Sequence, residues 1–140
     1  MQGSDGNFYG TTASGGAFTD QNGEGFGTVF RMTLDGTITT LYSFTFSGPD
    51  GKYRQGPGLA QDSDGNFYGA AYPGGPDSFG TIFKITPDGG LTTVYWFSGS
   101  DGSFPNCPVV GADRNLYGMA SAGGISFNGA NSSGYGLYSE

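Results

Sequence analysis

Asp62-Ser-Asp64-Gly-Asn66 sets oxygen-bearing side chains at alternate positions, the spacing with which a loop can wrap calcium. A calcium loop of the EF-hand kind also needs a glycine at its sixth position and a bidentate glutamate at its twelfth. Here the glycine falls at the fourth position and Pro73 stands at the twelfth. The same segment in an earlier copy reads Gly3-Ser-Asp5-Gly-Asn7, one acid fewer. An aspartate bonding its own backbone in a hairpin turn accounts for the pattern more simply, so Asp62, Asp64 and Asn66 are only a weak calcium candidate. No cofactor or metal is expected. The chain has no histidine, which removes the commonest general base and metal ligand and any Ser-His-Asp triad. Carboxylate pairs could hydrolyse a glycoside. The acids outside predicted turns are few, however, and Asp20 with Asp77 is the one pair worth testing. Cys107, beside Pro108 and with no base near it in sequence, reads as a small buried residue rather than a nucleophile. Whether the chain is an enzyme stays open, with the balance toward no, and no catalytic residue is assigned.

The elements that must position these residues come as repeats. Gln2-Gly-Ser-Asp-Gly-Asn-Phe-Tyr-Gly10 returns as Gln61-Asp-Ser-Asp-Gly-Asn-Phe-Tyr-Gly69, and in worn form as Ala112-Asp-Arg-Asn-Leu-Tyr-Gly118. Gly27-Thr-Val-Phe-Arg-Met-Thr-Leu-Asp-Gly36 returns as Gly80-Thr-Ile-Phe-Lys-Ile-Thr-Pro-Asp-Gly89, and Thr39-Thr-Leu-Tyr-Ser-Phe44 as Thr92-Thr-Val-Tyr-Trp-Phe97. Corresponding aspartates Asp5, Asp64 and Asp113 lie 59 and 49 residues apart. Such periods belong to architectures in which one unit buries its faces against its neighbours. The repeats divide the chain into 1–59, with a truncated first strand, 60–108, and an incomplete 109–140.

Within the middle copy, four strands are predicted: a at Pro57–Asp62, b at Asn66–Ala71, c at Gly80–Thr86 and d at Leu91–Phe97. Asp-Gly between apolar runs is a strong hairpin signal, because glycine accepts positive φ. No segment carries a 3.6-residue apolar stripe, so no helix is expected. Strand d has apolar residues on both faces, which calls for a sheet covered on both sides. The fold class is therefore all-β: propeller-like blades of four antiparallel strands, about two and a half of them, in an incomplete ring. Trp96 is expected in packing between blades. The missing fourth strand of the third copy and the start inside a repeat suggest a piece of a longer repeat protein.

The words Asp-Gly-Asn-Phe-Tyr-Gly, Gly-Thr-Val-Phe-Arg-Met-Thr-x-Asp-Gly and Thr-Thr-Leu-Tyr-Ser-Phe resemble the Gloeo-Verruco (GloVer) tandem repeat of bacterial proteins. More distantly they are similar to NHL and gluconolactonase-like propellers. The third copy departs, with Arg114 in place of the turn glycine and Gly134-Tyr-Gly-Leu-Tyr138 matching Gly-Thr-Val-Phe poorly. The resemblance implies a repeat fold and an extracellular or cell-surface location. It brings no catalytic motif.

Net charge is −7, with five Lys and Arg against twelve Asp and Glu. That argues against nucleic acid and anionic membrane surfaces, both of which attract basic patches. No run of about 18 apolar residues exists, so no membrane insertion is expected, and no signal peptide is recognised in this chain. In a blade, the a–b and c–d turns share one face and the b–c and d–a loops the other. The turns are stereotyped; the loops vary in length and content. Function collects on variable loops held by a rigid scaffold. That face carries Asp20, Glu24, Lys52, Tyr53, Arg54, Asp77, Phe104 and Asn128 as candidate ligand contacts. The expectation is a non-catalytic binding or adhesion module for a glycan or protein, with further copies of the repeat as partners, in a parent chain or by self-association. A part of a propeller enzyme and a structural spacer are the alternatives.

Overall fold

The computed structural model describes residues 1–46 and 58–124, and the backbone of 136–139. Sheet 1 holds β1 (Phe8–Thr12), β2 (Thr28–Met32) and β3 (Ile38–Ser43) in that order. Sheet 2 holds β4 (Ala60–Gln61), β5 (Phe67–Ala71), β6 (Thr81–Ile85) and β7 (Leu91–Trp96), again in chain order. Sheet 3 is built on β10 (Leu116–Ala122), with β11 (Gly136–Ser139) on one edge and β8 (Ser103–Pro105) and β9 (Val109–Val110) on the other. All pairings are antiparallel, and no helix occurs among the described residues. The molecule is thus all-β, with sheets of three and four strands consistent with incomplete propeller-like blades.

One turn design closes the hairpins. In each, a backbone N–H three residues on bonds back to the first carbonyl, and the strands rejoin one residue later. Gly65 N donates to Asp62 O at 3.2 Å and Asp62 N to Asn66 O at 3.0 Å; Thr86–Gly90 and Thr33–Thr37 repeat the pattern. The third turn residue must take positive φ, as at Gly65 (87°). In the worn copy Arg114 takes φ 70° at that position and keeps the bond from its N–H to Gly111 O.

Register explains the glycine of each Phe-Tyr-Gly word. Gly69 pairs with Phe83, and a Cβ there would sit 2.4 Å from the Phe83 ring. Gly10 opposes Phe30 in the same way, at 2.6 Å. The strand-b glycine is therefore a seat for the strand-c phenylalanine.

Two cores result. One lies between sheets 1 and 2 and contains Tyr9, Val29, Phe44, Phe67 and Phe83, with the Tyr9 and Phe67 ring centroids 4.0 Å apart. The other joins sheets 2 and 3 through Ala70, Ile82, Phe97 and Ala120. Sheet 2 is covered on both faces along β5 and β6. Its outer strand is not: Thr92, Val94 and Trp96 form an exposed row along β7. Trp96 is 51% exposed, so the expected burial between blades is corrected. It rests beside Gly75 in the β5–β6 loop. A second difference is β8, which falls in a segment expected to be loop. Seven-residue β10 outruns two-residue β9, and its far end pairs Ala120 with Pro105 and Ala122 with Ser103.

Candidate functional site

Antiparallel order places the β4–β5 and β6–β7 turns at one end of sheet 2 and the β5–β6 loop at the other. Sheet 1 is arranged alike, with the long β1–β2 loop opposite its turns. The base of each such loop is constant. Gly27 N donates to Gly15 O at 3.0 Å while Gly27 O accepts from Phe44 N at 3.0 Å; Gly80 makes the same two bonds, to Gly74 O and from Phe97 N, at the same distances. Only the span between differs in length. The signal was present in sequence as Gly15-Gly16, Gly74-Gly75 and Gly123-Gly124.

In sheet 1 the longer span folds into a miniature hairpin. Thr19 bridges Gly25, Asp20 N donates to Glu24 O, and Gly23 N returns to Asp20 O. The Asp20 carboxylate Oδ1 accepts from Asn22 N at 2.8 Å and Glu24 N at 2.9 Å, fixing the turn. The hairpin forms one wall of an open cleft of about 580 Å³, lined by Phe18, Thr19, Asp20, Gln21, Asn22, Phe26, Thr45 and Phe46. Phe26 is buried in the floor, its ring centroid 5.7 Å from that of Phe46. Phe18 is 50% exposed and Phe46 63%. Two solvent-facing aromatic rings beside amide and carboxylate groups can cover an apolar ring face and hydrogen-bond hydroxyls or amides around it.

Of the predicted ligand contacts, Asp20 lines this cleft, and Glu24 stands at the far end of the same hairpin turn. Asp77 is exposed on the β5–β6 loop of the next sheet. Asp20 and Asp77 thus belong to different loops, and one oxygen of Asp20 is already held by its own turn. Phe104 lies in β8, 4.1 Å between ring centroids from Tyr72 of the β5–β6 loop, at φ 55°. Its N–H donates to Phe79 O at 3.0 Å, which pins that unusual backbone. Lys52, Tyr53, Arg54 and Asn128 lie outside the described residues. Phe18 and Phe46 were missed because no repeat word contains Phe18, and nothing in local sequence distinguishes an exposed ring from a buried one.

The acids of the hairpin turns act on their own turns. Asp5 accepts from Asn7 Nδ2 at 2.7 Å and the Tyr9 hydroxyl at 2.8 Å; Asp113 accepts from Asn115 Nδ2 and the Tyr117 hydroxyl at 2.9 and 2.7 Å. In the middle copy the clip shifts to Asp62, which accepts from Asp64 N, Asn66 N, Asn66 Nδ2 and the Tyr68 hydroxyl. Gly3 and Gly111 stand where Asp62 does. A Cβ at Gly111 would lie 2.5 Å from Asp113 Oδ1, so only one carboxylate can occupy the clip, and in the middle copy Asp62 takes it from Asp64. Hydrogen bonds from Asn7 and Tyr9 hold Asp5 below the ordinary 3.8. At Asp62 burial pushes upward, but the bonds from Asn66 and Tyr68 outweigh it. With both Asp62 oxygens engaged and Asn66 turned as a donor, the weak calcium candidate presents hydrogen-bond clips rather than a preformed cage. No group of three His, Cys, Asp or Glu suited to a metal gathers among the described residues. Cys107 is half-buried, its Sγ 4.0 Å from Tyr68 O, and burial pushes its thiol upward. That keeps it protonated and a poor nucleophile.

Fold and site together define a class: an all-β repeat scaffold that carries variable loops at one end of its sheets. The chain matches the model of the Gloeobacter/Verrucomicrobia repeat over residues 1–133 and belongs to that family. No curated protein and no solved structure matches it. No helix among the described residues is long and apolar enough to cross a membrane.

Proposed function

We propose that the chain is a non-catalytic binding module, set outside the cell or at its surface, that takes a glycan through the β1–β2 loop cleft. One observation carries this reading: Phe18 and Phe46 stand exposed over buried Phe26, beside Asp20, Gln21 and Asn22. Exposed ring faces rimmed by hydrogen-bonding groups suit the apolar face and hydroxyl edge of a sugar. The non-catalytic part is supported by the turn acids, whose oxygens accept bonds within their own turns. The distant likeness to NHL and gluconolactonase-like propellers enters at the level of fold only. A protein loop is the other ligand this cleft suits.

The test is a glycan array followed by titration calorimetry on the best hit. Phe18→Ala and Phe46→Ala are each expected to weaken binding at least tenfold while leaving the circular dichroism unchanged. Absence of any glycan hit, or hits indifferent to both substitutions, would sink the reading.

A further inference from the structure

The two end sheets expose opposite halves of one joint. Inside the molecule, Tyr9 and Val29 on one face of sheet 1 pack against Phe67 and Phe83 of sheet 2. Tyr117 holds in β10 the repeat position that Tyr9 holds in β1, yet it is 45% exposed against 2%. Met119 holds the position of Ala70 and is 51% exposed against 0%. At the opposite end, Phe8 and Phe30 hold the positions of Phe67 and Phe83. The latter pair is fully buried, whereas Phe8 and Phe30 are only half-buried.

We propose that the sheet 3 face of one molecule receives the sheet 1 face of a second copy of this chain, head to tail. The occupant follows from continuity with the internal joint. A tyrosine-and-aliphatic face meets a two-phenylalanine face once inside the molecule; at its ends the first recurs exposed and the second only half-buried. A symmetric pairing would set Tyr117 against its own copy, a contact the molecule uses nowhere among its described residues. Head-to-tail contacts close into rings or continue as filaments, according to the rotation at each step. This association does not depend on the glycan reading.

Light scattering over a dilution series tests it. The wild-type chain is expected to show masses at integer multiples of the monomer that fall toward the monomer on dilution. Met119→Lys and Phe8→Lys each place a charge in one half of the joint, where burial is unfavourable. Each variant alone is expected to be monomeric. Each also keeps one intact half, and the two halves are complementary, so an equimolar mixture should form dimers and stop there. A wild-type chain that stays monomeric at every concentration overturns the proposal. So does a mixture of folded variants that stays monomeric, or a variant that associates as strongly as wild type. If either variant loses its β-sheet circular dichroism, the wild-type dilution series decides alone.

Discussion

Arg114 shows how much of a repeat survives the loss of its signature residue. The turn that contains it keeps the bond to Gly111 O and the left-handed backbone that Gly6 and Gly65 take in the other copies. An L-residue there is disfavoured by about 1–2 kcal/mol, part of which glycine forfeits through its freer unfolded chain. Arg114→Gly is therefore expected to raise stability by about 0.5–1 kcal/mol, read as a higher urea midpoint with unchanged slope. The turn carboxylates make a second prediction. Asp5, Asp62 and Asp113 all sit below their ordinary value of 3.8 in the folded chain. Their contribution is present above that value and is lost as pH falls through the lower folded values. Melting temperature should hold from neutral pH down to about 4 and drop below it. Asp62→Asn is expected to lower stability at pH 7 by about 1 kcal/mol and to flatten the acid limb, since the clip then has no proton to gain.

At the scale of elements, the constant base and variable span of the β1–β2 loop can be separated by experiment. Replacing Ala17–Phe26 by the four residues Pro76-Asp-Ser-Phe79 retains the bonds of Gly27 to Gly15 and Phe44. The chimera is expected to melt as one β-sheet protein within about 1 kcal/mol of the parent, since turn and loop exchanges away from the core are mild. It should lose glycan binding entirely, because the hairpin wall and Phe18 go with the excised span. The strands themselves were legible in sequence because repetition aligned them. Strands b, c and d were expected at Asn66–Ala71, Gly80–Thr86 and Leu91–Phe97 and run Phe67–Ala71, Thr81–Ile85 and Leu91–Trp96. Strand β8 was not legible. Ser103-Phe-Pro105 has neither alternation nor repeat, and it is drawn into a strand by the free length of β10 beside it. The burial of Trp96 was misjudged because strand d alternates correctly, but nothing in its sequence says which of its faces another sheet will cover. Likewise the loop side of the sheets could be read from turn lengths. The cleft could not, since its lining brings Phe18 of the β1–β2 loop together with Thr45 and Phe46, which follow β3 far along the chain.

For the whole molecule, the joint between sheets 1 and 2 couples their stabilities. Phe83 is fully buried, seats against Gly69 and meets the Phe44 ring of the neighbouring sheet, with centroids 5.4 Å apart. Phe83→Ala is expected to cost about 3–5 kcal/mol and to weaken both sheets together, so that Trp96 fluorescence and far-ultraviolet circular dichroism move with a single urea midpoint. Separate transitions would show that each sheet stands alone. The clips described above have a consequence for the setting in which the molecule works. Among the described residues, the acids of these clips lean on phenols, amides and backbone N–H groups, all neutral, and not on lysine or arginine. Dissolved ions therefore find no clasp to loosen there; what they screen is the mutual repulsion of a chain carrying −7. Brine should leave the fold unchanged or firmer, while acid below about pH 4 weakens it.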